Sequence, residues 1–111
     1  MQTNSEELHY KFVTYVPPSH LEALKIALAE AGAGKTGNYD NCMWTTPGQG
    51  QFRPLDGSNP FIGTMGQIER VEEIKIETTC SKNNIKQVID ALRKTHPYET
   101  PAFQYWPVFF E

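Results

Sequence analysis

Tyr10 to Val16 (YKFVTYV) is dense in β-branched and aromatic residues and stops at Pro17-Pro18, which predicts a strand. Ser19-His20-Leu21-Glu22 matches a capping box, with Ser19 as N-cap and Glu22 reaching back to it. Leu21, Leu24, Leu28 and Ala31 then recur at helical spacing, so a helix runs to about Ala31 and stops at Gly32. Asp40 to Thr46 reads as a weaker strand. Glu69 to Thr79 (ERVEEIKIETT) is a long one, with Ile74 and Ile76 on one face and Glu73, Lys75 and Glu77 on the other. Asn83 or Asn84 can cap a second helix whose Ile85, Val88, Ile89 and Leu92 form a single apolar stripe. Ala102 to Phe109 is the last strand, and Pro107 within it suits an edge position or a bulge.

The order is β-α-β followed by β-α-β. It predicts an α+β, ferredoxin-like βαββαβ fold: a four-stranded antiparallel sheet with two helices on one face. Between the middle strands, Pro47 to Gly66 holds five glycines and three prolines, so it reads as a long hairpin loop with a short extended stretch at Gln51 to Arg53. The first strand is apolar on both sides, with Tyr10, Phe12 and Val16 on one and Val13 and Tyr15 on the other. A single copy would leave its open sheet face apolar and wet, which predicts a homo-oligomer built through that face or its edges.

Composition narrows the class. The 111 residues suffice for one domain (1–111), with residues 1–9 as a flexible arm. A net charge of −3 with scattered lysines and arginines gives no basic stripe, so nucleic acid is not the expected partner. No apolar run approaches a membrane span, and the polar, acidic start differs from a signal peptide, so the expected place is the cytoplasm. Cys42 and Cys80 form neither a disulfide framework nor a CxxC pair and are read as reduced thiols, although the fold brings their strand ends near each other.

Chemistry concentrates in His96-Pro97-Tyr98-Glu99-Thr100-Pro101, three reactive side chains on a stiff, twice proline-locked turn. Two readings stand: a helix stop leading into the last strand, or a site. As a site it offers His96 and Glu99 to a divalent metal, with further ligands from Glu69, Asp40 or a second subunit, or His96, Tyr98 and Glu99 to a small organic or anionic ligand. Arg53, between Phe52 and Pro54, is either a clamp for an anion or half of an intersubunit salt bridge. Ala29 to Thr36 (AEAGAGKT) fits a loose phosphate-loop pattern but closes a helix instead of opening one, which leaves a glycine C-cap and Lys35 as a weak anion contact. Trp44 and Trp106 are read as core or interface residues.

Four ordered segments carry a family resemblance: Gly32 to Asp40 (GAGKTGNYD), Gly48 to Pro54 (GQGQFRP), Asn59 to Gly63 (NPFIG) and His96 to Glu99 (HPYE). Their succession resembles the YqfO-type domain inserted in many members of the Ngg-interacting-factor-three (Nif3-like) family, in a stand-alone form. The resemblance runs from about Tyr10 to Val108. Those larger proteins resemble type 2 cyclohydrolases and hold a dinuclear metal centre in flanking domains, so no catalytic residue carries over. The inserted domain is similar in fold to CutA and PII-like proteins, trimers that bind metals or small ligands between subunits. The resemblance therefore implies a non-catalytic ligand- or metal-binding module, a trimer by analogy. His96, Tyr98 and Glu99 would stand at an intersubunit pocket, with Arg53 and Lys35 as anion contacts. Its alternatives are a copper- or zinc-binding protein, or an accessory partner of a dinuclear-metal hydrolase.

Overall fold

Double-sided apolarity puts the first strand in the middle of the sheet. The computed structural model describes residues 8–110, with β1 (His9–Val16), α1 (Leu21–Glu30), β2 (Trp44–Phe52), β3 (Glu69–Ser81), α2 (Ile85–Thr95) and β4 (Phe103–Val108). The strand order is β2-β3-β1-β4 and every neighbouring pair is antiparallel, the ferredoxin-like βαββαβ arrangement expected from the sequence. Phe12 and Val16 of β1 and Ile76 of β3 join Leu24, Leu28, Val88 and Leu92 from the two helices in one fully buried cluster. Burial of each such side chain stabilises the fold by about 1.5–3 kcal/mol. Thr14, buried among them, donates its hydroxyl to the Ala102 carbonyl at 2.8 Å, so no polar cost remains there.

Three local expectations need correction. The capping box does not form. Pro17 and Pro18 start a 3-10 turn over Pro18–His20, so His20 takes the N-cap position of α1 and the Ser19 hydroxyl bonds the His20 ring instead. Asn84 holds the N-cap position of α2 as expected, without a side-chain cap bond. The second strand is not 40–46 but Trp44–Phe52, and it passes through Pro47, Gly48 and Gly50. β2 lies at a sheet edge, where a strand tolerates Pro and Gly. The irregular connection to β3 thus shrinks to residues 53–68. The N-terminal arm read over 1–9 falls outside the described residues as far as residue 7, and His9 already pairs with Ser81 and Val108.

After α1 the chain turns through Gly32 and Gly34, both with positive φ, and no helix follows, so the phosphate-loop pattern is a helix exit. Gly34 knits this exit to the sheet: its N–H donates to the Thr79 carbonyl (2.8 Å) and its carbonyl accepts from Cys42 N–H (2.9 Å). Cys42 is exposed and Cys80 buried, and both are free thiols; burial pushes the Cys80 thiol up to about 11.

Candidate functional site

Pro97 forbids helical geometry to the residue before it, and His96 accordingly leaves α2 with φ −67° and ψ 134°. Its backbone N–H still closes the last helical turn onto Leu92 (2.8 Å). The ring swings under β1, buried, with both nitrogens engaged. Nδ1 accepts from the Tyr98 N–H at 3.1 Å, so Nε2 carries the proton and donates it to the Tyr15 carbonyl at 2.6 Å. Burial holds its pKa below the usual imidazole range, partly offset by the Tyr15 hydrogen bond and the nearby Glu73. His96 is a neutral pin between β1 and the turn. Ligation of a metal by this ring requires breaking one of those two bonds.

What the pin fixes is Tyr98. Its hydroxyl donates to Glu73 Oε2 at 2.9 Å, and burial together with that carboxylate pushes the phenol well above its ordinary range. Glu73 reaches it by lying across Gly50 of the neighbouring strand, where any Cβ would overlap the carboxylate. Glu99, one residue on and exposed, accepts the Asn59 N–H at 2.9 Å through Oε1 and so ties the 53–68 loop to the turn. Phe61 of that loop lies 6.4 Å from the Tyr98 ring and Phe52 lies 6.0 Å from it.

Loop and turn enclose a hollow of about 440 Å³. Arg53, Tyr98 and Glu99 line it, so three of the five sequence-predicted site residues come together. His96 stands behind the wall. Lys35 is elsewhere: it follows Gly34, whose partner Thr79 is six residues along β3 from Glu73, roughly 20 Å at strand rise. Glu73, Tyr15, Phe52 and Phe61 also line the hollow and were not singled out by sequence. The pairing of Phe with Arg53 and the isolated glycines in a strand were the available signals. The residues of one copy suffice to form this hollow. Among the described residues, no group of three or more His, Cys, Asp or Glu could hold a metal ion.

Comparison with known proteins adds the lineage. The chain is 45% identical over 106 residues to the GTP cyclohydrolase 1 type 2 homologue of Halalkalibacterium halodurans, covering 96% of this chain and 28% of that protein. A Bacillus cereus protein related to NIF3 superposes with a TM-score of 0.80 at 40% identity, over 92% of this chain and 26% of that one. This chain is a homologue of the CutA/PII-like domain inserted in those Nif3-related proteins. It spans about a quarter of the length of the curated relatives it matches. The CutA side of the domain is visible in sequence too, since a family model described as CutA1 divalent ion tolerance protein matches residues 64–109. The Nif3-related domain shares its fold with the periplasmic divalent cation tolerance protein CutA of Archaeoglobus fulgidus (TM-score 0.65, 20% identity, 90% of this chain and 83% of that one). Bacillus subtilis GlnK has the same fold (TM-score 0.61, 16% identity, 91% and 85%). No described helix is long and apolar enough to cross a membrane.

Proposed function

We propose that this CutA/PII-like domain is a non-catalytic small-ligand-binding module of the cytoplasm, that its site is the hollow between the 53–68 loop and the 96–101 turn, and that it works as a homo-oligomer. One observation carries the reading: a hollow of about 440 Å³, the size of a small-molecule site, walled by aromatic residues and entered by a few placed polar groups. The polar groups hold one another, Tyr98 on Glu73 and Glu99 on the loop backbone, which suits a preformed receptor better than a reacting centre. The test is backbone NMR of labelled protein against a panel of aromatic acids, amino acids and nucleotides. A binder should shift the amides of residues 52–62 and 96–102. A ligand that shifts only the α1 exit around Lys35 counts against this site.

A second reading, divalent-metal binding by copper or zinc through His96 and Glu99, is supported by the CutA1 match over residues 64–109. Protein purified without chelator is compared with His96→Ala by metal analysis. Stoichiometric metal lost in the variant favours this reading; sub-stoichiometric metal in both sinks it.

For the oligomer, the support is the open sheet face, which carries Trp44 at 68% exposure and Trp106 at 45%. A trimer follows by analogy with CutA and PII proteins.

A further inference from the structure

The charged groups around the hollow are not equivalent. Glu73 is used twice within the chain, as acceptor for the Tyr98 hydroxyl and as a carboxylate seated across Gly50. Glu99 is held by the Asn59 N–H. Arg53 differs: it is exposed and lines the hollow, and among the described residues no hydrogen bond, salt bridge or ring contact engages its guanidinium. Among the described residues it is the sole cation lining the hollow, which two carboxylates, Glu73 and Glu99, also line. Phe52, Phe61 and Tyr98 supply ring surface beside it, with centroid separations of 6.0 and 6.4 Å from Tyr98.

An unpaired guanidinium takes an anion, as a charge-assisted and often bidentate bond to a carboxylate or similar oxyanion. Aromatic walls take a flat, apolar ring system. The two fixed carboxylates set an upper limit on charge, because a second or third negative group would enter their field with no further cation to meet it. We infer that the ligand of this hollow is a planar aromatic compound bearing a single acidic group, bound by Arg53 at the acid and by Phe52, Phe61 and Tyr98 at the ring. This rests on the small-ligand reading above and adds the chemical class.

The experiment uses four probes on the full chain: 2-naphthoate, its neutral isostere 2-naphthamide, the non-aromatic cyclohexanecarboxylate, and ATP as a polyanion. Binding is followed by the amide shifts of residues 52–62 and 96–102. The expected result is 2-naphthoate binding about tenfold or more tightly than 2-naphthamide, the amount a single charge-assisted contact supplies. Cyclohexanecarboxylate and ATP should be weaker than naphthoate. Arg53→Gln should erase the acid-over-amide preference, and Arg53→Lys should restore part of it. Equal binding of acid and amide at these residues overturns the ligand class and leaves the pocket reading intact. ATP binding tighter than naphthoate does the same. If none of the four shifts these residues, the ligand class falls, and the pocket reading falls with it only when the wider panel also leaves these residues unshifted.

Discussion

At the scale of single residues, the histidine in the His-Pro-Tyr-Glu segment is a structural pin and the tyrosine is what it positions. The segment's stiffness was legible, because two prolines restrict their neighbours whatever the tertiary context. The partners were not. Tyr15 is 81 residues from His96 in sequence and Glu73 is 25 from Tyr98, and no local pattern reports such pairings. The pin has a pH consequence. Its folded pKa lies below the ordinary imidazole value of 6.5, so the unfolded chain binds the proton more readily. Stability from this group is therefore complete above about pH 6.5 and is lost as pH falls through the window down to the folded pKa. Glu73 works against this shift and His20 with it. Urea midpoints should drop between pH 7.5 and pH 5.5 in the wild type, and drop less in His96→Gln; equal slopes would remove the pin from the account. The Tyr98–Glu73 bond makes a second prediction. Tyr98→Phe should cost about 1 kcal/mol, and Gly50→Ala should act on the same bond by displacing the carboxylate. The two should be clearly less than additive in the double mutant. Full additivity would mean that Gly50 does not seat Glu73.

At the scale of elements, what the sequence revealed depended on contact with the core. α2 was readable because Val88 and Leu92 are buried and Ile85 and Ile89 pack beside them, so the periodic stripe records a real interface. β2 was misplaced for the converse reason. Seven of its nine residues are exposed, its partners lie along one edge only, and no alternation of apolar and polar positions marks it. Its glycines consequently looked like loop. Position in the fold separates glycines that a composition count treats alike. Gly34 has φ +82°, and a Cβ there would lie 2.8 Å from Cys42 N and 2.9 Å from Cys42 O, both backbone atoms that hold the α1 exit to β3. Gly48 meets nothing within 4 Å. Gly34→Ala should therefore destabilise by about 1–3 kcal/mol, while Gly48→Ala should stay within about 0.5 kcal/mol of the wild type. Chemical denaturation of the two variants side by side checks this. A Gly48 variant as unstable as the Gly34 one would mean that the edge strand is covered in solution.

For the whole molecule, the shape asks for a partner. The described residues extend 56 × 23 × 21 Å, with most of β2 exposed at the sheet edge. Val13 is only 2% exposed on the open face, under Lys11 and Glu77, which are joined at 3.6 Å, but Trp44 and Trp106 on the same face remain largely open. A stable interface needs about 800 Å² from each partner, and large aromatic side chains at its centre dominate its energy. Sedimentation velocity from low to high micromolar concentration should then show one species of about three times 12.6 kDa, by closed cyclic symmetry. Trp44→Glu places a charge on that face, at its edge strand β2, and should shift the protein toward monomer, with the sedimentation coefficient as the readout. A wild type that sediments as a monomer throughout the range defeats the oligomer proposal. The Trp44→Glu monomer also settles where the pocket belongs. One copy on its own already forms a hollow of about 440 Å³, so the monomer is expected to bind 2-naphthoate with the wild-type affinity. Loss of binding on dissociation would show instead that a neighbouring subunit completes the site.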